Sequence, residues 1–251
     1  MKTCVIIPCR MASERLPEKF IQDINGKTLL QRVYENVSAE FGKDDVFIAL
    51  DGEKLAALAQ SFGAKFIITD PNCPSGTDRI AQALETIDPN GDKYDFVINF
   101  QGDDVNVNPK ISSRLAQILE KTGADLATVV QPIDDENMIM NPSIVKVAMV
   151  QSTGRCLYFS RSPIPFNRKV GCTDKAFWHI GMYAYNLKSL RKFVKLPVGE
   201  LEKLESLEQL RFLENGMSVF AGILEDTRIN TQAPADVNTA EDLEEMRKYI
   251  K

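Results

Sequence analysis

The sequence predicts an α/β protein with a mostly parallel central sheet flanked by helices and a lobe built on a mixed sheet. Through about the first 135 residues, short and continuously apolar segments alternate with longer amphipathic ones. That alternation is typical of a parallel sheet covered by helices on both faces. From about residue 140, apolar segments follow one another without long helices between them, which favours a mixed sheet. With 251 residues, the chain can form one large domain, or a domain with a smaller lobe.

The first half begins with a strand at residues 3–8, a β-branched run that ends at a proline. A turn at Asn25-Gly26 precedes a helix in which leucines and valines recur at helical spacing. Further strands are predicted in 45–51, 65–70, 94–100 and 125–133, and further helices in 52–64, 76–87 and 109–124. Ligands of such sheets bind at the carboxyl ends of the strands, so the loops to search follow Ile7, Leu50, Ile68 and Phe100.

The second half is predicted to contain strands within 143–151, 154–166 and 178–187. Residues 200–216 are predicted to form one helix with an apolar side of leucines. A last helix begins at Asn238 or Thr239, with acidic residues in its first turn and basic residues in its last. No linker or repeat interrupts the chain, so we interpret residues 1–251 as a single domain. Its parts are a first half at about 1–135, a lobe at about 140–225, and a C-terminal segment at 226–251.

Composition and charge exclude several classes of protein. The net charge of −5 argues against general binding to nucleic acid or anionic membranes, which usually requires a basic excess. No stretch approaches the ~20 consecutive apolar residues of a membrane span, and the N-terminus lacks a signal-peptide pattern. The five cysteines are scattered and never spaced as CxxC, which favours free thiols over disulfides or a zinc site. We therefore expect a cytoplasmic protein without a nucleic-acid partner or membrane insertion.

The loop after the first strand is the first candidate site. It contains three cations, Arg10, Arg15 and Lys19, together with the small residues Ala12 and Ser13. Small residues leave backbone amides accessible to a polyphosphate, whose charge the cations would compensate. The alternative is a solvated loop with ordinary surface charges.

The second candidate site is Gln101-Gly102-Asp103-Asp104, which directly follows a buried strand. A carboxylate there can hold Mg²⁺, which binds one or two protein oxygens, waters and substrate phosphates. The alternative is a turn with solvated acids. If the cations of the first loop and these acids face each other across one crevice, the pair suits a nucleoside triphosphate with its metal.

Eight segments of the chain are similar, in the same order, to motifs of one known family. They lie at residues 6–20, 24–35, 75–81, 99–104, 141–147, 158–166, 179–185 and 201–216, beginning with IIPCRMASERLPEKF and including SGTDRIA, NFQGDD and YFSRSPIPF. The chain thus resembles, over nearly its whole length, the CMP-Kdo synthetase family (3-deoxy-manno-octulosonate cytidylyltransferases) of the acid-sugar nucleotidyltransferase superfamily.

The resemblance implies a Rossmann-like, GT-A-like nucleotidyltransferase fold and a reaction in which CTP activates Kdo to CMP-Kdo with release of pyrophosphate. It further implies Mg²⁺ as cofactor, a homodimer, and a place in lipopolysaccharide biosynthesis. The first half would bind the nucleotide, the lobe would bind the sugar and form the dimer, and the C-terminal segment would complete the metal site. Two alternatives stay open: the same reaction on 8-amino-Kdo or another 2-keto acid sugar, and a non-catalytic nucleotide-binding homologue.

The family motifs assign roles to individual residues. Arg15, Lys19 and Asp103 are expected to be catalytic. The expected nucleotide-binding residues are Arg10, Ala12, Ser13, Arg15, Lys19, Ser75, Gly76 and Arg79. The expected sugar-binding residues are Gln101, Arg161, His179, Tyr183, Glu202, Glu205 and Gln209. The expected metal ligands are Asp103 and Asn238, with Asp236 as an alternative donor.

Two departures from the family pattern affect the nucleotide and metal sites. Glu18 replaces a glycine, so its carboxylate must point away from the proposed triphosphate or weaken its binding. Asn238 replaces an aspartate, so an amide oxygen would stand in for the second metal carboxylate. Asp236 lies two residues upstream and shares a face with Asn238 if the segment is extended.

The predicted sugar site depends on residues of the lobe. The Arg161 guanidinium suits a carboxylate, although it could equally pair with a structural acid. His179 is the only histidine; on its own it would be interpreted as a packed, hydrogen-bonded residue, and the resemblance favours sugar contact. Alternation within 178–185 would place His179, Gly181, Tyr183 and Tyr185 on one face of a strand.

The acidic residues of the predicted 200–216 helix are the remaining part of that site. Glu202, Glu205 and Gln209 would occupy successive turns of this helix. The alternative is a solvated polar face, and the resemblance favours contact with sugar hydroxyls.

Overall fold

The computed structural model describes residues 1–12, 15–171, 173, 175–225, 228–230 and 232–250. Its strands are β1 (Thr3–Pro8), β2 (Asp23–Ile24), β3 (Lys27–Thr28), β4 (Val46–Leu50), β5 (Lys65–Ile68), β6 (Phe96–Asn99), β7 (Leu126–Ile133), β8 (Lys146–Val150), β9 (Arg155–Ser160), β10 (Ala176–Asn186) and β11 (Val219–Ile223). Its α-helices are α1 (Leu29–Phe41), α2 (Glu53–Ser61), α3 (Gly76–Ile87), α4 (Lys110–Thr122), α5 (Glu136–Met140), α6 (Leu187–Phe193), α7 (Glu200–Glu205), α8 (Leu210–Glu214) and α9 (Ala240–Tyr249). Among these described residues, no helix has both the length and the apolar content needed to cross a membrane.

The chain divides into two compact units, residues 1–113 with 227–251 and residues 114–226. This division falls inside α4, whereas the sequence suggested a change near residues 135–140. The difference arises from β7, which pairs with β10 and β11 of the second unit. Apolar patterning in β7 shows that the strand is buried, but it contains no information about which strands lie beside it.

The first unit contains a parallel sheet with strand order β5-β4-β1-β6. All five residues of β4 and the last five of β1 are buried, as expected for strands covered on both faces. Helices α1 and α3 pack against β1 and β4. The predicted parallel α/β half is confirmed, and the carboxyl ends of its strands lie along one edge of the sheet.

The start of α1 shows how local sequence determines local structure. Asn25 and Gly26 both have positive φ angles and join β2 to β3 as a tight hairpin, where the sequence analysis predicted only a turn. The helix then begins because the Thr28 side chain accepts a hydrogen bond from the Gln31 backbone N–H.

The second unit contains a mixed sheet with strand order β10-β7-β11-β9-β8, in which β8 also pairs with β10. Only the β7–β11 pair is parallel among these described strand pairs. The predicted mixed-sheet lobe is confirmed. Its core includes Phe159, Phe193 and Phe212, with the rings of Phe193 and Phe212 stacked 4.2 Å apart.

The single helix predicted for residues 200–216 is wrong. Ser206, at φ 52°, ends α7, and α8 begins only at Leu210. The break turns Leu207 into the core while Leu204 stays 81% exposed, so the leucine spacing that predicted one continuous apolar side does not describe one helix face. Gln209 therefore does not lie on the same helix as Glu202 and Glu205.

The predicted alternation in β10 holds only in part. The register against β7 shifts between Ile180 and Tyr183, and Gly181 lies exposed inside this bulge. His179 and Tyr183 nevertheless pair with positions two residues apart on β7, so they share a face. The predicted shared face is correct for these two side chains, whereas Gly181 lies in the bulge between them.

Candidate active site

A cavity of about 550 Å³ lies in the first unit, at the carboxyl end of its parallel sheet. The loops after β1, β5 and β6 line it together with the segment before α9. Predicted site residues that line it are Arg10, Ala12, Arg15, Lys19, Ser75, Gly76, Arg79, Gln101, Asp103 and Asn238. Ser13, also predicted to bind nucleotide, lies outside the described residues.

The close approach of two cavity loops depends on a glycine that the sequence analysis did not single out as a site residue. A Cβ atom at Gly102 would lie 2.7 Å from Phe20 Cε1 and 2.8 Å from Cys9 Sγ. Both distances are shorter than ordinary van der Waals contacts, so a side chain at position 102 would require Phe20, Cys9 or the local backbone to move. The only sequence signal was a glycine immediately after a buried strand.

Cations and acids meet inside this cavity, as the sequence analysis expected. Lys19 Nζ lies 2.5 Å from Asp103 Oδ2 and 3.4 Å from Asn238 Oδ1. Arg15 donates a second hydrogen bond, of 2.8 Å, to the same Asn238 oxygen. A lysine ammonium thus lies within hydrogen-bonding distance of both predicted metal donors.

Glu18 lies outside the cavity lining and forms an ion pair with Lys54, at 2.5 Å from Oε1 to Nζ. Its backbone has φ 52°, the left-handed region that glycine adopts without strain. The need for this conformation explains why glycine suits position 18. Of the two expectations for Glu18, the structure supports the one in which the carboxylate points away.

The buried Arg79 contributes a cation from α3. Its guanidinium donates to Thr69 Oγ1 at 2.5 Å and lies 3.7 Å from Asp51 Oδ2. Asp51 follows β4 and accepts a 2.7 Å hydrogen bond from the Met11 backbone N–H, so it also holds the loop after β1. Asp51 was not predicted as a site residue, although it follows a buried strand at the same edge of the sheet.

The N-terminus of α3 also faces this cavity. Ser75 caps the helix by accepting a hydrogen bond from the Asp78 backbone N–H, and both Ser75 and Gly76 line the cavity. The partial positive charge of a helix N-terminus favours bound anions.

Asn106 joins the loop after β6 to the C-terminal segment, and the sequence analysis missed it. Its side chain is fully buried and donates to the backbone carbonyls of Asn230, Ala233 and Pro234 at 2.8 to 3.2 Å. Its side-chain oxygen accepts from the Asn230 N–H at 2.9 Å. With all its hydrogen bonds made inside the protein, Asn106 fixes the segment that leads to Asn238.

Asp236 and Asp104 lie close to the predicted metal donors. Burial, and then the Asp103 charge, raise the pKa of Asp236. Burial, followed by the charges of Asp103 and Asp236, raises the pKa of Asp104 well above its usual range. Asp236 does not line the cavity; its carboxylate accepts a hydrogen bond from Asn238 Nδ2.

The donor set fits Mg²⁺ better than a metal held entirely by the protein. No group of three or more histidine, cysteine or acidic side chains suited to a metal occurs within the described ranges. Asp103 and Asn238 offer two oxygens, and Lys19 already places a cation beside both. Mg²⁺ commonly binds through one or two protein oxygens, with phosphates and waters completing the shell.

The second unit contains a buried polar cluster of predicted sugar-binding residues. His179 Nε2 lies 3.0 Å from Thr128 Oγ1, and its Nδ1 lies 3.5 Å from Gln209 Nε2. The Tyr183 hydroxyl donates to Gln209 Oε1 at 3.3 Å. Burial lowers the pKa of His179 to about 3, so the ring is neutral at physiological pH.

The two glutamates predicted to bind sugar hydroxyls have protein partners. Glu202 forms a buried bidentate ion pair with Arg211, with contacts of 2.5 and 2.7 Å. Glu205 accepts hydrogen bonds from the Ser160 hydroxyl and the Arg161 backbone N–H. Contact of these carboxylates with a sugar stays a prediction.

Arg161 has structural partners, but they are not the acid that the alternative interpretation named. Its guanidinium donates to the backbone carbonyls of Glu205, Pro142 and Ser206 at 2.7, 3.0 and 3.3 Å. These bonds use three of the five N–H donors of the guanidinium, and contact with a sugar acid stays a prediction.

Comparison with known proteins relates this geometry to a family. A family model described as cytidylyltransferase matches residues 4–219. The chain is 42% identical to the 3-deoxy-manno-octulosonate cytidylyltransferase of Chloroherpeton thalassium over 253 residues, covering 100% of this chain and 98% of the relative. It is 41% identical to the protein of the same name from Francisella tularensis subsp. holarctica, covering 98% and 97%.

Solved structures agree with the sequence comparisons. A CMP:2-keto-3-deoxy-manno-octonic acid synthetase complexed with CTP matches with a TM-score of 0.88 at 33% identity, covering 99% of this chain and 98% of that one. A cytidylyltransferase from Leptospira borgpetersenii matches with a TM-score of 0.61 at 16% identity, which shows a shared fold only. The chain belongs to the cytidylyltransferase family of nucleotidyltransferases, in the group of 3-deoxy-manno-octulosonate cytidylyltransferases.

Proposed function

We propose that this protein transfers CMP from CTP to Kdo and releases pyrophosphate. The observation that carries the proposal is the meeting of Arg15, Lys19, Asp103 and Asn238 in one cavity at the carboxyl ends of parallel strands. The cations can bind the phosphates of a nucleoside triphosphate, and the side-chain oxygens of Asp103 and Asn238 can bind its metal ion. Full-length identity of 42% to a relative named for this reaction supports the choice of CTP and Kdo.

The reaction is a single displacement at phosphorus. The anomeric 2-hydroxyl oxygen of Kdo bonds to the α-phosphorus of CTP, the bond from that phosphorus to the pyrophosphate oxygen breaks, and the hydroxyl proton passes to solvent. Arg15 and Lys19 donate hydrogen bonds to the departing pyrophosphate, whose charge grows as the bond breaks. Such chemistry depends on positioning and charge, and it needs no covalent intermediate.

Lys19 changes partner when the triphosphate binds. In this structure its ammonium pairs with Asp103, and a phosphate oxygen offers it a stronger concentration of negative charge. Asp103 and Asn238 would then be free to hold Mg²⁺. When bound, that ion neutralises phosphate charge and lowers the pKa of the attacking hydroxyl.

The buried cluster of the second unit is the part we assign to the sugar. His179, Tyr183 and Gln209 present a neutral ring, a hydroxyl and an amide, which suit the hydroxyl groups of Kdo. Kdo is preferred over 8-amino-Kdo and other 2-keto acid sugars because the relatives are named for it. By the same kinship we propose a cytoplasmic homodimer that serves lipopolysaccharide biosynthesis.

The test is release of pyrophosphate from CTP, measured with and without Mg²⁺ against a panel of acid sugars. We expect activity with Kdo that requires Mg²⁺ and is largely lost in Lys19→Met. Lys54→Met is the matched control, because it removes a lysine that pairs with Glu18 outside the cavity. If pyrophosphate is released only with another acid sugar, that sugar and not Kdo is the substrate. CTP binding without release for any sugar would favour the non-catalytic homologue.

A further inference from the structure

The side-chain amide of Asn238 is held between a carboxylate and two cations. Its Nδ2 donates to Asp236 Oδ2 at 2.5 Å. Its Oδ1 accepts from Arg15 at 2.8 Å and lies 3.4 Å from Lys19 Nζ. Asn238 lines the cavity whereas Asp236 does not, so the carboxylate lies behind the amide as seen from the cavity.

This arrangement permits only one orientation of the amide. Arginine and lysine side chains donate hydrogen bonds and cannot accept them, so only the oxygen of Asn238 can face Arg15 and Lys19, and its NH₂ group faces Asp236. Reversing the amide would place its NH₂ group against Arg15 and Lys19, and its carbonyl against the carboxylate. The oxygen, which is the only end able to bind a metal ion, therefore faces the cavity.

The same hydrogen bond changes the charge on the donor oxygen. A neutral amide attracts Mg²⁺ less than the carboxylate that the family has at this position. Donating N–H to a carboxylate polarises an amide and increases the negative charge on its oxygen. Groups that hydrogen-bond to metal ligands orient them and raise their basicity.

We propose that Asp236 is a positioning residue: it orients and polarises the Asn238 amide as a metal donor through the hydrogen bond that it accepts from Nδ2. This inference rests on the proposed function, because it assumes that Asn238 holds the metal ion of the CTP complex. It assigns Asp236 a role other than that of a direct ligand.

The backbone of this segment is held independently of the Asp236 side chain. The Val237 N–H donates to the Asp103 carbonyl at 3.2 Å, and the Asn238 N–H donates to Asp242 Oδ2 at 2.9 Å. Removing the Asp236 carboxylate should therefore release the amide without releasing the chain. Effects of substitutions at position 236 on metal binding can therefore be attributed to the orientation of the Asn238 side-chain amide.

The experiment measures Mn²⁺ binding to the protein–CTP complex by electron paramagnetic resonance, without any acid sugar, so that no turnover occurs. The variants are Asp236→Leu, Asp236→Asn, and the exchange Asp236→Asn with Asn238→Asp. Glu241→Gln is the matched control, because it removes one exposed negative charge from the same segment. CTP affinity without metal and the melting temperature are measured for each protein.

We expect Asp236→Leu to weaken Mn²⁺ binding about tenfold, the scale of losses at groups that hydrogen-bond to metal ligands. Asp236→Asn should show a smaller loss, since it keeps an acceptor but not the charge. The exchange variant should bind Mn²⁺ at least as well as the original protein. Glu241→Gln should change little, and CTP affinity without metal should stay constant throughout.

Three outcomes would overturn the inference. Unchanged Mn²⁺ affinity in both single variants would show that Asp236 does not act on the metal site. Equal losses in Asp236→Leu and the exchange variant would make Asp236 a direct ligand. If Asp236→Leu does not fold, Asp236→Asn and the exchange variant decide the same question. Absence of any Mn²⁺ or CTP binding in the original protein would instead refute the proposed function together with the inference.

Discussion

Lowering the pH should destabilise this protein through His179, the only histidine in the chain. Burial lowers the pKa of His179 to about 3 in the folded protein, whereas in the unfolded chain its pKa is about 6.5. Below about pH 6.5, His179 is therefore protonated in the unfolded state but neutral in the folded state, and the free energy of unfolding decreases as the pH falls. Stability falls by about 1.36 kcal/mol for each pH unit below the pKa of the unfolded histidine. Lowering the pH from about 8 to 5 covers about 1.5 such units, so the free energy of unfolding falls by about 2 kcal/mol.

The assay is urea unfolding at several pH values, for the original protein and for His179→Gln. Glutamine does not titrate and retains a polar group for Thr128, so the variant should lose about 2 kcal/mol less over this range. In melting temperature the difference corresponds to about 4–8 °C for a chain of this length. Acids that titrate in both proteins cancel in the comparison. Parallel pH profiles for the two proteins would refute a buried, neutral His179.

Three further predictions follow from contacts described above. Gly102→Ala should lower the free energy of unfolding by about 1–3 kcal/mol, measured by urea titration, because its Cβ would overlap two neighbouring side chains; unchanged stability would refute the close approach. Lys19→Met should strengthen Mn²⁺ binding to the nucleotide-free protein, since the ammonium no longer competes for Asp103; weaker binding would contradict this competition. Glu202→Gln should cost about 3–5 kcal/mol in unfolding experiments, because the buried Arg211 guanidinium would lose its bidentate contact with a carboxylate; a loss below about 1 kcal/mol would show that water reaches the pair.

The nucleotide cavity was largely predictable because its position follows from topology. Parallel strands end at one edge of a sheet, so loops after β1 and β6 had to approach each other wherever the strands were adjacent. Arg15, Lys19 and Asp103 could therefore be grouped from the sequence alone. Asn106 escaped prediction because nothing in its sequence neighbourhood indicates that residues more than a hundred positions away would accept its hydrogen bonds.

In the lobe, the sequence did not predict the hydrogen-bond partners of the charged residues. Arg161, Glu202 and Glu205 were expected to face a sugar, yet each has partners within the protein. Their charge and spacing are compatible with either role. The choice depends on which carbonyls and guanidinium groups the fold brings within about 3 Å, the distance at which a hydrogen bond forms.

The sequence by itself determined the α/β alternation, the buried strands and the collection of cations and acids at one edge of the first sheet. These features depend on short-range patterns of apolar and polar residues, which report the face that each side chain takes. Only the tertiary structure decided that Ser206 breaks a helix, that Glu18 turns toward Lys54, and that Asp236 stands behind Asn238. These outcomes depend on the orientation and partners of individual groups, which are set by packing and by contacts that periodicity does not encode.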